Sequence, residues 1–542
     1  MVDRAVEEGL PPEHKNELRR IVYDHHDVWR VKLDRIPPVK VTPMKLHLKH
    51  DAQPVACGAG KYPIPHQQFL HEHCASLLEN DFIYRNPQSR YASRTDVHEK
   101  KDFSNRGYRM TADYRPVNRQ IERVAWPMPH LDVVLMYLRT ATIFMLFDAF
   151  KGYWQFPLHV DSQEICSFMT HEGNFTPKRI MQGICDAVFA FQSGMQEVLG
   201  ELLYLCVLLW IDDVLGYVSD FKEYFTVLKR ILKKFASFGV KCNPNRCHLF
   251  LKRVKWCGRI ISSEGVSYDP DMICALKAMS IPQTAADLQQ FICGLNWMRS
   301  AIPRFAERVH PLQQLLLEAS RSIGSLKKRQ LRRIRLDHIG WGDQHSRSFE
   351  ALKEILANLM TTAHPKDGWI VCMFPDASNQ FWSVFLTQIP YSDLVKSYDE
   401  QQHEPLAFIS GSFKDNQLRW ATIEKEAFAI VEGCFRLKHF LYTSLPFRIF
   451  TDHRNLAFIL DPYRYMTSPS RTTGDRLERW RLQLEFLNFE IEHIPGDENI
   501  WADLGTLWGG LLLLRKCQVL FVYMFPTSFH ESSSLSRLLH SR

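Results

Sequence analysis

The stretch LLWIDDVLGYV, residues 208–218, constrains this chain more than any other. It sets two adjacent carboxylates, Asp212 and Asp213, in a run that is otherwise apolar or aromatic. The two charges repel, and packing of their neighbours strips away water. An unpaired buried charge is costly enough that the group would normally neutralise instead. Two arrangements relieve the conflict: a hairpin tip in water, which Asp tolerates, or a bound cation. These residues alone leave both open.

A third acid lies upstream in IFMLFDAFKGYWQF, where Asp148 ends an apolar run that reads as a strand before a Lys-Gly turn. LYLCVLLWI and VLGYV likewise read as short strands joined at the acidic pair. If these strands are neighbours in one sheet, three carboxylates meet at one end, an arrangement that divalent ions would stabilise. Magnesium favours a few carboxylates, water and phosphate oxygens, and a pair of such ions can clamp the attacking and leaving oxygens of a phosphoryl transfer. Unrelated turn acids remain the alternative on spacing alone.

The surrounding text supplies cations. EKKDFSNRGYRMTADYRPVN carries Lys100, Lys101, Arg109 and Arg115 around a strand-like segment that could grip a triphosphate and a template backbone. RIMQGICDAVFAFQ places Gln182 and Gly183 before an aromatic run, and Tyr153 follows Asp148 just past a tight turn. LKRVKWCGRIISSEGV reads as a basic hairpin suited to a primer backbone. In this order, RMTADYRPVN, LFDAFKGYWQF, IMQGICDAVFAFQ, WIDD and WCGRIIS resemble the reverse transcriptase of gypsy-type long-terminal-repeat retrotransposons.

The resemblance implies Asp148, Asp212 and Asp213 as a metal-binding polymerase triad, with Lys100 and Arg109 on the incoming triphosphate. It implies Gln182 as a wall of the nucleotide pocket and Tyr153 as a gate against a ribose 2′-hydroxyl. Lys101 and Arg115 fall to the template and primer. Trp210 stands where the family has Tyr, Met181 where it has Pro, and Asp186-Ala-Val where Asn-Ala-Pro is common.

A second set of acids follows. Asp376 ends the strand-like WIVCMFPDA, and Asp452 ends FRIFTD. WATIEKEAFAIVEGCFRLKHFL is an amphipathic helix with Ile423, Ala427, Ile430, Val431 and Cys434 on one face and Glu426 at its edge. Glu424 is expected to face solvent. IEHIPGDENIWADLGT sets Asn499 and Asp503 one helical turn apart. Asp376, Glu426, Asp452 and Asp503 resemble the acidic set of a ribonuclease H domain, which implies two-metal hydrolysis of RNA in an RNA/DNA hybrid. Pro375 stands where the family has Thr. A proline cannot donate to a sheet ladder, so a central strand here would displace Asp376.

At 542 residues the chain is too long for one core, and 45% hydrophobic content is that of a packed protein. The net charge of +7 permits a nucleic-acid partner without demanding one. Thirteen cysteines with no C-x-x-C pair read as reduced and intracellular, without a zinc module. Arg515 and Lys516 interrupt the one membrane-like stretch, so no membrane partner is expected.

The expected architecture is α/β (α+β) and multidomain: a right-hand polymerase of fingers, palm and thumb, then a ribonuclease H-like α/β domain. The divisions are an extended lead-in at 1–55, fingers and palm at 56–268, helical thumb at 269–319, connection at 320–365, nuclease at 366–506 and a divergent tail at 507–542. The basic run 323–335 reads as a solvated face or linker, a phosphate tether or a nuclear localisation signal.

The implied cofactor is Mg2+, two ions per centre, with Mn2+ as a substitute. The implied partners are an RNA template, a DNA primer, the RNA/DNA hybrid and deoxynucleoside triphosphates. Kinship implies cytoplasmic particles or the nucleus. The shift in composition after Asp503, with no protease or integrase motif, suggests a truncated or frame-disrupted copy. The rival reading is a catalytically inactive or domesticated remnant that binds nucleic acid.

Overall fold

The computed structural model describes residues 1–58, 60–99, 107–126, 128–397, 400–461, 471–496 and 499, with the backbone alone at 471–474. Lys100, Lys101, Asp503 and the tail from 507 lie outside the described residues. The chain divides into two compact units, Met1–Cys257 with Ile261–Ser263, and Gly258–Ile260 with Glu264–Arg542.

The first unit corrects one expectation at once. Residues 1–55 do not form an extended lead-in: they begin with helices α1 (Val2–Glu7) and α2 (Lys15–Asp24), which bury Ala5, Leu18 and Ile21 in the main core. Widely spaced apolar residues among many charges hid that packing. Helix α3 (Ile64–Glu79) starts after Pro63 and buries Leu70, Cys74 and Leu77, a three- and four-residue spacing that keeps one face inward.

Strands β1 (Ile83–Arg85), β2 (Ser93–Glu99) and β3 (Tyr108–Ala112) come next, and β4 (Ile143–Asp148) follows. With β5 (Phe168–Thr170) and β6 (Gly173–Pro177), the first three make a sheet in the order β1-β6-β5-β2-β3. Helix α4 (Ala187–Leu199), strands β7 (Val207–Trp210) and β8 (Asp213–Val218), helix α5 (Phe221–Phe238) and strand β9 (His248–Leu251) complete this part.

The second sheet is antiparallel, in the order β9-β4-β8-β7. Helix α5 covers it with Tyr224, Leu228, Ile231, Leu232 and Phe235. Asp220 caps the helix start by accepting from the Lys222 N–H at 3.0 Å, and Gly239, at φ +85°, ends it. The close fit requires Gly216 on β8: a Cβ there would lie 2.9 Å from Ile231 Cδ1.

In the second unit, helices α6 (Pro270–Lys277) and α7 (Ala285–Trp297) start at the Asp269 and Thr284 caps. Helices α8 (Phe305–Ile323) and α9 (Asp343–Ala357) join them around Leu288, Phe291, Leu312, Phe349 and Leu352. The basic run presents its cations to solvent while Leu331 and Leu336 anchor it in that core.

Strands β10 (Trp369–Ala377), β11 (Phe381–Pro390) and β12 (Glu404–Ser412) are antiparallel. Helix α10 (Thr422–Arg436), strand β13 (Phe447–Thr451), helix α11 (Arg471–Leu484) and strand β14 (Phe489–His493) follow. The sheet order is β12-β11-β10-β13-β14, with β13 parallel to β10 and to β14. Ala427, Ile430, Val431 and Cys434 of α10 are buried with Met373, Val384 and Leu386 of the sheet. Among the described residues no helix is long and apolar enough to cross a membrane.

Candidate active sites

The acidic pair occupies two different environments. Asp213 opens β8 and pairs with Trp210 on β7, so Ile211 and Asp212 alone form the hairpin turn. Asp212 stands exposed at that tip. On its other side Asp213 is in register with Asp148, the last residue of β4. Strand pairing therefore brings the three acids to one end of one sheet.

Asp213 still meets solvent, but lost hydration, then the charges of Asp212 and Asp148, push its pKa up to about 6. Burial and the Asp212 charge also raise Asp148, against the pull of Arg246, whose Nη1 lies 3.6 Å from Asp148 Oδ2.

Several residues outside the expected set hold this end of the sheet. Gln192, buried on α4, accepts from the Ile211 N–H at 2.7 Å. The Asp148 N–H donates to Cys247 Sγ at 3.3 Å, and the Asp148 carbonyl accepts from the Asn243 N–H at 2.9 Å. The buried Trp256 indole donates to the Asp213 carbonyl at 3.4 Å. Gln192 ends the IMQGICDAVFAFQ motif and Trp256 begins WCGRIIS, which was the available signal. Arg246 and Cys247 had none, because their loop meets Asp148 across roughly a hundred residues.

Tyr153 is half-buried, its ring 5.1 Å from that of Phe191, and burial with the Asp212 charge raises its hydroxyl pKa. Its ring packs against the main core. Arg109, exposed on β3, donates from Nη2 to Gln182 Oε1, so those two expected residues are in contact. Asn118 fixes the loop after Gln182, donating to the Gly183 carbonyl at 2.9 Å and accepting from the Cys185 N–H at 3.0 Å. Arg115 is exposed and pairs with Asp113 at 2.7 Å.

The second centre assembles from the nuclease-like sheet. The parallel pairing of β10 with β13 matches Met373 to Ile449, and three further residues along each chain lead to Asp376 and Asp452. Glu426 projects from α10, accepts from the Ala377 N–H at 3.3 Å, and is buried. Burial first, then Asp376 and Asp452, push its pKa up to about 9.

Pro375 does not displace Asp376. The β11 ladder runs through Pro375 opposite Val384 without a shift, while the pairing with β13 ends at Met373. The missing N–H thus falls where one ladder is already finished. Glu424 does not face solvent either. It accepts from the Ala421 N–H at 2.9 Å and from Arg476 Nη1 at 2.6 Å, capping α10 and tying it to α11.

Among the described residues no three acidic, histidine or cysteine side chains are already gathered to hold an ion. The donors nevertheless suit a hard cation. All are carboxylate oxygens, burial and then like charges raise the pKa of Asp213 and of Glu426, and Glu426 Oε2 is buried without a hydrogen-bond partner. Magnesium needs only one or two such groups besides water and phosphate, so the residues fit.

Comparison with known proteins points to the same two domains. The reverse transcriptase (RNA-dependent DNA polymerase) family matches residues 98–261, and the RNase H-like domain found in reverse transcriptase matches residues 370–487. The Pol polyprotein of transposon opus from Drosophila melanogaster is 26% identical over 468 residues, covering 85% of this chain and 44% of that protein. The gypsy Pol polyprotein of the same organism is 26% identical over 456 residues, covering 84% and 41%. The Tf2-3 polyprotein of Schizosaccharomyces pombe is 26% identical over 396 residues, covering 73% and 27%.

This chain thus spans less than half the length of these curated relatives. A foamy viral protease–reverse transcriptase in complex with double-stranded DNA superposes with a TM-score of 0.72 at 17% identity, over 91% of this chain and 96% of that one. The same kind of protein in complex with RNA/DNA hybrid gives 0.70 at 16% identity, over 91% and 62%. At such identity these structures show the fold alone.

The chain therefore joins a reverse transcriptase domain to an RNase H-like domain. Its curated relatives at about this level of similarity are Pol polyproteins of retrotransposons, opus and gypsy among them.

Proposed function

We propose that this chain copies RNA into DNA and degrades the copied RNA strand. In the first reaction a primer 3′-hydroxyl attacks the α-phosphorus of a deoxynucleoside triphosphate. A new O–P bond forms, the bond to the β-phosphate oxygen breaks, and pyrophosphate leaves. Asp148, Asp212 and Asp213 are the groups that would hold a pair of Mg2+ ions. Bound there, the ions supply charge stabilisation to the attacking and leaving oxygens.

Arg109 and Gln182 are assigned to the triphosphate, a reading supported by their contact at the surface, with Lys100 as a further candidate. Tyr153, half-buried near Asp212, is the candidate wall for the sugar. Lys101 and Arg115 are assigned to template and primer phosphates. In the second reaction water cleaves the RNA of a hybrid at Asp376, Glu426 and Asp452, with Asp503 as a fourth ligand. Mn2+ would substitute at both centres, since it takes the same oxygen donors.

The observation that carries this reading is the register of Asp213 with Asp148 beside an exposed Asp212. Primer extension on an RNA template tests it. D213N should lose about a hundred- to a thousandfold of the parent rate, the scale of removing one charge-stabilising group. Equal extension by parent and variant would defeat the assignment of Asp213, and hybrid binding with no extension by the parent would leave a nucleic-acid-binding remnant as the better description.

A further inference from the structure

The nuclease-like centre already faces a cation belonging to the chain itself. Arg304, immediately before α8, donates from Nη2 to Asp376 Oδ2 at 2.5 Å. Both partners are largely withdrawn from water, with side chains 18% and 26% exposed. We propose that Arg304 is a tethered cation that competes with the divalent ion for Asp376 and thereby sets the metal affinity of the nuclease centre. This rests on the reading of Asp376 as a metal ligand.

The pair is built rather than incidental. Arg304 lies in the left-handed region at φ +49°, which a non-glycine residue adopts only when its surroundings enforce it. Those surroundings are visible. The Ala306 N–H donates to Ser410 Oγ at 2.9 Å, and the His310 ring meets the edge of Phe381 at 5.1 Å. Pro303 and Arg304 line one small cavity together with Phe374, Val384 and Phe408. The start of α8 is thus docked on β11 and β12, and the guanidinium is delivered to the carboxylate by the docking.

A guanidinium gives a carboxylate oxygen a charge-assisted bond without supplying an open coordination position. A divalent ion arriving at Asp376 meets that bond and a like charge within contact range. It must shift Arg304 or bind with Asp376 only partly available. Glu426 and Asp452 leave further carboxyl oxygens at the centre, so an ion still has donors there once the guanidinium yields.

Mn2+ titration of the full chain, followed by electron paramagnetic resonance, reads this directly. R304M keeps the packing stem and removes the charge. Its nuclease-centre Mn2+ should bind about five- to 150-fold more tightly than the parent's, the usual range of a coupling between two ligands. D376N should lose that ion, and R304M/D376N should match D376N.

If D376N loses the ion while R304M binds like the parent, competition by Arg304 is overturned and the ligand reading stands. If D376N binds Mn2+ like the parent, the ligand reading falls and takes this proposal with it. A second measurement needs no variant. Saturating Mn2+ should free Arg304 in the parent and speed its modification by phenylglyoxal, mapped by peptide mass. An unchanged rate overturns the proposal even if R304M fails to fold.

Discussion

Glu424 and Glu426 lie two positions apart on α10 and have opposite fates. Both are buried, and Glu426, which the motif singles out, accepts from the Ala377 N–H. The outward reading of Glu424 failed because its partner Arg476 comes from α11, 52 residues on, where local periodicity carries no signal. The two acids therefore answer differently to mutation. E424A breaks a cap and an ion pair, and should destabilise the second unit by about 1–2 kcal/mol without changing metal binding, read by urea unfolding and Mn2+ titration. Glu426 behaves in the opposite sense. Its folded pKa is raised from 4.5 to about 9, so the folded chain holds a proton that the unfolded chain has released. Metal-free stability should then fall as pH rises from about 4.5 towards 9. E426Q should flatten that slope, measured as unfolding midpoints at pH 5, 7 and 9, and an unchanged slope would refute the assignment.

The β7–β8 hairpin shows how an element resolves a conflict its own residues cannot. WIDD left open whether the acids sit at a wet tip or at a cation site, and the fold separates them: Asp212 takes the tip and Asp213 joins the ladder beside Asp148. The strands were legible because apolar runs bounded by acids leave few alternatives. The turn was not. It places Ile211, a β-branched residue, at φ +57°, where no propensity argument would put it. Such backbone persists only when its surroundings hold it, and the Gln192 side chain accepting from the Ile211 N–H does so from α4. Pro375 teaches the same lesson: which ladder loses its N–H depends on strand order, which no local pattern reveals. Q192A leaves a part-buried N–H unpaired, a loss of about 1 kcal/mol. It should slow primer extension by lowering kcat more than it raises KM, while hybrid cleavage stays at the parent rate. Parallel loss of both activities would mean that Gln192 supports the whole chain rather than the hairpin.

At the scale of the molecule, the order of motifs was legible and the way residues gather into units was not. The first 55 residues read as a lead-in, yet α1 and α2 belong to the core of the first unit, and Arg4 donates to the carbonyls of Pro244 and Asn245 at 2.8 and 2.9 Å. Those contacts span some 240 residues and leave no trace in local composition. The loop they brace also carries Arg246 to Asp148, so the amino-terminal helices support the first acidic end from behind. The two carboxylate sets fall in separate compact units. Groups that share no contacts contribute additively. D213N should therefore remove primer extension and leave cleavage of a preformed hybrid within about twofold of the parent, while D376N should do the reverse. The double variant should show each loss undiminished, with no further change in its unfolding midpoint beyond the sum of the two. Cleavage that falls with D213N on a preformed hybrid would show the centres to be coupled through the bound duplex, and the two units would then have to be treated as one catalytic body.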